Sequence, residues 1–324
     1  MHKKLRIVLN LLVFVLIIGF VWYMVNSLGK NEPVFGSINL TGEHSPYKKI
    51  SSIKTKSEII RFDLSGDFIF IAVNHAVMIY NKTGALVKQF PVEQEIRDIK
   101  VESNRIYLLY PAAIEVFTME GEKTTGWKAR RINSDYCSMA LTSEYVFVTD
   151  AGNKNICKYT KDGDYLAVIL SPDGFIIPSY AFDIINIRDT VYCGNSGRHR
   201  IESYTPEGEF IASFGKSGSE AGSFAGCCNP AYLAVTTNGN ILTSEKGVPR
   251  ISCFSRDGQF NAILLSGKTL GGGVKAYSVK VLDDRIYVAG KNTLSVFVYD
   301  PQLAARSACA GCPMDCKPLP APPP

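Results

Sequence analysis

A pattern that returns about every 40 residues governs what this chain can become. Each unit runs through an apolar strand, a turn, a β-branched or aromatic strand, a polar loop, a strand ending in an aromatic, and a turn closed by glycine. The closing turns are residues 81–84 (Asn-Lys-Thr-Gly), 119–121 (Met-Glu-Gly), 161–163 (Lys-Asp-Gly), 206–208 (Pro-Glu-Gly) and 256–258 (Arg-Asp-Gly); Asp300 and Pro301 mark a sixth. Asp-Gly and Glu-Gly read as hairpin turns, because glycine supplies positive φ without strain. The second strands are also alike, at residues 68–71, 106–109, 145–148, 190–192, 240–243 and 285–288. Four strands per unit at this period describe propeller blades. The fold class expected is therefore all-β, a six-bladed β-propeller over residues 47–303.

The ring has to close. Blade six ends near Asp300 without an outer strand, while residues 48–54 form a spare β-like segment ahead of blade one. These two facts predict that residues 48–54 pair as the outer strand of blade six, which protects the sheet edges.

Blade four carries a more specific signal: Asn195-Ser196-Gly197-Arg198-His199-Arg200-Ile201-Glu202-Ser203-Tyr204, then Gly208, then Phe214-Gly215. This resembles the NHL-repeat propeller family, whose pattern is an acidic residue or Asn, then Asn-His-Arg-Ile, an aromatic and a glycine. Blade three repeats it from Asp150 to Tyr159 and blade five from Glu245 to Phe254; blades one, two and six rest on period and strand pattern. The resemblance covers residues 57–300. It implies that Asp150, Asn195 and Glu245, with Arg200, Arg250 and His199, serve as structural loop ties. Some six-bladed relatives are calcium-dependent lactonases or hydrolases, which raises a rival expectation, that Asp150, Asn195 and Glu245 form a ring of ligands facing the channel.

Ahead of the repeats, residues 7–29 contain no charged side chain. At 1.5 Å per residue, ~20 such residues cross the ~30 Å hydrocarbon core. His2, Lys3, Lys4 and Arg6 precede the span, and Trp22 and Tyr23 suit an interface. The expected arrangement is a cytoplasmic N-terminus (residues 1–6), a transmembrane helix (7–29), a linker (30–46) and a propeller in the periplasm or outside the cell. A cleaved signal peptide ending near residues 25–27 is the alternative. The formal charge of +5 owes part of its excess to that basic cluster, so no nucleic-acid partner is expected.

Loops between the second and third strands of a blade should share a face with the connections between blades. One segment there departs from the repeat. Where the family has Gly-x-Phe-x-x-Pro, this chain has residues 222–230, three residues longer, an insertion placed at Gly226, Cys227 and Cys228 just before Asn229 and Pro230. Neighbouring cysteines are awkward to bond to one another, so each is expected to pair elsewhere, ligate something or stay a thiol. Lys246 has no counterpart in the blade pattern. Candidate ligand-binding residues are Cys227, Cys228, Asn229, Glu245, Lys246 and Arg250. The C-terminal segment 304–324 carries Cys309, Cys312 and Cys316 as Cys-x-x-Cys-x-x-x-Cys, three thiolates suited to an iron–sulfur cluster or zinc but one short of the usual four. Cys137, Cys157, Cys193 and Cys253 lie in or beside strands and carry no expected role.

No phosphate-binding glycine loop, serine nucleophile elbow, metal-binding His-Glu-x-x-His helix or haem-attachment motif occurs. Three readings follow: an anchored scaffold that docks a protein or small ligand through its loop-rich face; a redox or metal protein using Cys227, Cys228 and the C-terminal cysteines in a membrane-associated electron-transfer assembly; and a metal-dependent hydrolase.

Overall fold

The computed structural model describes residues 45–272 and 276–308. The anchor segment and the three C-terminal cysteines lie outside these residues. Among the described residues, no helix is long and apolar enough to cross a membrane.

The chain forms six four-stranded antiparallel sheets, each meandering from an inner to an outer strand. The inner strands of blades one to six are Arg61–Ser65, Asp98–Glu102, Tyr136–Leu141, Ile184–Ile187, Tyr232–Val235 and Ser278–Leu282. Blades one to five take all four strands in sequence order. Blade six borrows its outer strand, as expected: Tyr47–Lys54 lies antiparallel to Thr293–Tyr299, from Tyr47 opposite Tyr299 to Lys54 opposite Thr293.

The end of blade six differs from the sequence expectation in one detail. Asp300 does not open a hairpin but caps a helix, Pro301–Ala308. Its Oδ1 accepts from the amides of Gln302 (2.9 Å) and Leu303 (3.3 Å). Proline suits the first helical position, where its missing N–H had no partner to lose. Because Tyr47–Lys54 already fills the outer position, the chain has no fourth strand to turn into.

The closing turns share one construction. A side chain three residues before the glycine accepts turn amides. Asn81 Oδ1 bonds Thr83 and Ala85, and the hydroxyls of Thr118, Thr160, Thr205 and Ser255 bond their own turns. Gly84, Gly121, Gly163, Gly208 and Gly258 all have φ between 83° and 100°. A second constraint is packing. A Cβ on Gly121, Gly163, Gly208 or Gly258 would press within 3 Å of Phe90, Trp127, Ile169 or Phe214, on the outer strand of the preceding blade. Gly84 faces Ile53 at 3.4 Å in the same way, so blade one docks on the borrowed strand as every other blade docks on its predecessor.

Between blades lie the hydrophobic clusters. Phe70 and Ile79 of blade one pack with Ile99, Ile106 and Leu108 of blade two, and the pattern continues around the ring. A buried side chain of this size contributes ~1.5–3 kcal/mol, so each blade is stable only against its neighbours.

The two constraints on the turn glycines can be separated. Gly174 has φ +77° and open space within 4 Å of the point a Cβ would occupy, whereas a Cβ on Gly163 (φ +99°) would meet Trp127 at 2.6 Å. Gly174→Ala should cost about 1–2 kcal/mol from backbone strain, and Gly163→Ala roughly 1–3 kcal/mol more from overpacking. Urea denaturation of both variants checks this; equal losses would refute the packing role.

Candidate functional site

The inner strands alternate apolar side chains with charged ones, and the charged set meets at the axis. Arg61 Nη2 reaches from blade one to Asp183 Oδ1, at the entry to blade four, over 3.1 Å. Its guanidinium also lies 4.2 Å from the Tyr232 ring centroid. Lys100 Nζ is 2.6 Å from Asp98, and Lys280 Nζ is 3.3 Å from Asp63. Ser138 Oγ stands 3.0 Å from Asp98 and 2.5 Å from Asp183, so its one proton serves either carboxylate. Three acids thus face three bases.

Each of these carboxylates also ties its blade to the next. Asp63 accepts the amide of Val101, Asp98 that of Met139, and Asp183 that of Leu233, at 2.8, 2.9 and 2.7 Å. Adjacent inner strands belong to separate sheets, so these side chains supply bonds that no β-ladder provides. The void left at the axis is about 10 Å³, room for about one water. Burial alone would raise the Asp98 pKa, but Lys100, Arg61 and Lys280 outweigh it and hold the carboxyl at about 2. Burial also works against the charge on Lys280, yet Asp63, Asp98 and Asp183 raise its pKa.

Over this plug lies a funnel of about 470 Å³. Its wall comes from connections between blades and from loops between second and third strands, the face expected from the repeat. Tyr180, Tyr232 and Tyr277 supply aromatic surface; Lys246, Lys291 and Glu58 supply charge. Tyr232 belongs to both places, since its ring also stacks on Arg61 at the axis.

The Gly226-Cys227-Cys228 insertion and the Asn229 that follows it sit behind this wall. Cys228 is 2% exposed and packs with Ala181 and Ala231, both of which line the funnel. Cys227 is exposed. Asn229 is buried and clamps the insertion to the next loop: its Nδ2 donates to the carbonyls of Ala225 and Lys246, and its Oδ1 accepts from the Lys246 amide (2.9 Å). The Gly226 carbonyl meets His199 Nε2.

The sequence candidates therefore fall into two groups. Cys227, Cys228, Asn229 and Lys246 come together beside the funnel. Glu245 and Arg250 pair within blade five, 1% and 2% exposed, through bonds of 2.8 and 2.9 Å, and Arg250 also donates to the Ser223 carbonyl. They hold the loop from inside. Asp150 and Asn195 do the same for blades three and four, accepting the amides of Asp135 and Ile176. Each of the three closes the loop of its own blade, which is the structural tie the resemblance implied. Among the described residues, no three His, Cys, Asp or Glu side chains are grouped to hold a metal ion. Cys309, Cys312 and Cys316 lie outside the described residues.

Sequence reasoning missed the axial network and most of the funnel. The pattern Asp98-Ile99-Lys100 and its counterparts Arg61-Phe62-Asp63 and Ser278-Val279-Lys280 signalled the network: polar residues at period two in strands that had to be innermost.

A ring of six such blades around a filled axis defines a β-propeller, here with one face hollowed. No protein-family model matches the chain, and no curated protein matches it. Solved structures do. Virginiamycin B lyase from Staphylococcus aureus aligns with a TM-score of 0.55 at 12% identity, covering 78% of this chain and 99% of that one. A protein of unknown function from Bacteroides thetaiotaomicron gives 0.57 at 12% identity, over 78% of this chain and 72% of that one. The Neurospora crassa Pan2 WD40 domain gives 0.55 at 7% identity, over 78% and 95%. At these identities the likeness is one of fold alone.

The axial network makes stability depend on acid in a defined direction. The Asp98 carboxyl titrates at about 2 when folded, against 3.8 for the free side chain. Its contribution, about 2 kcal/mol, is complete above pH ~4 and is lost as pH falls towards 2. Asp98→Asn leaves buried cations short of a partner and should cost roughly 3 kcal/mol at pH 7. It should also flatten the loss between pH 5 and 3. Urea midpoints at the three pH values measure both; an unchanged midpoint at pH 7 would remove the network's structural role.

Proposed function

We propose that this chain is a membrane-anchored, extracytoplasmic NHL-like propeller that acts as a binding scaffold, and that its ligand enters the funnel. One observation carries the binding reading: the axis is plugged by matched charges, so the roughly 470 Å³ hollow is a closed-bottomed cup rather than a passage. A cup of this size falls in the range of ligand sites, ~300–1,000 Å³. Its wall is rigid because the ring behind it is closed.

The wall selects a chemistry. Tyr180, Tyr232 and Tyr277 offer flat, amphipathic contact surface, and Lys246 and Lys291 face one acid, Glu58. A ligand that joins an anionic group to a flat or apolar body uses both. The same pairing could come from a small molecule or from a side chain of a docked protein. The anchor part of the reading is supported by the uncharged stretch at residues 7–29 behind its basic cluster.

Titration with 8-anilinonaphthalene-1-sulfonate, a fluorescent aromatic anion, tests the cup. One saturable site is expected. Lys246→Ala and Lys291→Ala should each weaken it about tenfold, the equivalent of ~1.4 kcal/mol. Lys88→Ala, on the outer strand of blade one, should leave it unchanged. Binding that is equal in all four proteins would refute the funnel as the site. Recovery of the chain in the carbonate-washed membrane fraction, with its first 29 residues intact by mass spectrometry, checks the anchor; a soluble, shortened chain would refute it.

A further inference from the structure

Cysteine chemistry divides sharply across this protein. The thiols of Cys137 and Cys157 lie in strands, where burial pushes both up to about 12, and Cys193 is driven well above its ordinary value for the same reason. Those sulfurs are inert apolar filler. Cys227 and Cys228 differ in lying against one another in a loop. Their sulfurs touch, with Sγ to Sγ at 2.7 Å. One thiol is exposed and the other is buried beneath it. Burial opposes ionisation of Cys228, but Cys227, Ser179 and Lys246 outweigh it and lower its pKa, while the contact with Cys228 raises that of Cys227.

The backbone around the pair is held at both ends. On one side His199 takes the Gly226 carbonyl; on the other, Asn229 is bonded to both the amide and the carbonyl of Lys246. Gly226 has φ +73° and open space around it, so solvent reaches the turn from outside. The two sulfurs are thus held by a braced turn behind the funnel wall, with Cys227 exposed.

We propose that Cys227 and Cys228 form a thiol–disulfide exchange site that takes a small aliphatic disulfide as its substrate. Exposed Cys227 attacks first. As its thiolate it bonds to one sulfur of the incoming disulfide, the substrate S–S bond breaks, and one thiolate leaves and takes up the proton that Cys227 gave to water. Cys228, already in contact, then attacks the Cys227 sulfur as a thiolate. The mixed disulfide breaks, the second substrate thiol leaves with a proton, and a bond joins Cys227 to Cys228. The protein dithiol has lost two electrons and two protons, and the substrate disulfide has become two thiols.

Adjacent cysteines close a small ring that strains the intervening peptide, and strain makes a disulfide more readily reduced. That suits exchange rather than stapling. From the sequence each cysteine is expected to pair elsewhere, ligate something or stay a thiol; both are free thiols in the structure, and the proposal adds a reversible bond between them. The site needs no ligand in the funnel and stands apart from the binding reading.

The full chain, reduced under anaerobic conditions, is incubated with oxidised glutathione, quenched in acid, alkylated and mapped by mass spectrometry. The peptide spanning residues 227 and 228 should lose two hydrogens, escape alkylation and carry no glutathione; dithiothreitol should reverse this. Cys228→Ser should trap glutathione on Cys227, and Cys227→Ser should leave Cys228 unmodified. Pairing of either residue with Cys309, Cys312 or Cys316, or persistence of both as alkylatable thiols, would overturn the proposal. The wild-type map decides by itself should either variant fold poorly.

Discussion

Arg61 reaches across the centre of the ring to Asp183, and the other inner strands are arranged around that contact. Burying charges is costly; a pair like this repays its desolvation only when geometry and hydrogen bonding are complete. Here they nearly are. Three acids meet three bases, a serine hydroxyl lies between two carboxylates, and backbone amides of neighbouring blades fill further lone pairs. The return is specificity of assembly. Apolar side chains at the axis would pack in many relative heights of blade against blade. A carboxylate that must accept one particular amide of the next blade allows one.

The second constraint is closure. Tyr47–Lys54 can pair with Thr293–Tyr299 only when every blade between them is in place. The hydrophobic clusters between blades already favour neighbours, yet an open ring would leave two unsatisfied edges. Borrowing the last strand from the start of the chain converts six local associations into one cooperative body. Ile53 shows how complete the join is. It meets the turn glycine of blade one just as Phe90, Trp127, Ile169 and Phe214 meet theirs, so the seam between first and last blades repeats the ordinary blade interface.

Much of this architecture could be read from the residues, because repetition multiplies weak signals. No single glycine turn specifies a propeller, but five at one period do, and a missing strand at one end with a spare one at the other specifies the seam. Glu245 and Arg250 were also legible as ties, since each recurs in register with a counterpart in another blade, and His199 through its place in the pattern that blade four resembles. The axis was not. Asp98-Ile99-Lys100-Val101-Glu102 reads equally as a strand with a solvent-facing side, and periodicity gives two faces without saying which one meets the centre of a ring. Tyr180, Tyr232 and Tyr277 were hidden for the opposite reason. They stand at or near connections, where nothing repeats and no pattern singles them out.

Sites in such a protein arise where its symmetry is broken. Six equivalent blades would make six equivalent loops, too alike to bind one ligand in one orientation. The departures here are concentrated on one side of the face. The connection into blade four holds Ser179 and Tyr180, both with positive φ, the connection into blade five carries the extra cysteines, and blade six contributes Lys291. The Asn229 clamp joins the second of these to Lys246, so thiols and funnel lysine share one braced loop. A sulfur pair placed there experiences a lysine and a serine that favour a thiolate, whereas at Cys193, in the second strand of blade four, burial first and then Glu202 hold the thiol protonated. The rigid repeat and the reactive irregularity therefore depend on each other: the ring holds the loop in place, and in the loop Cys227, Ser179 and Lys246 outweigh the burial of Cys228, whereas burial prevails at the strand thiols.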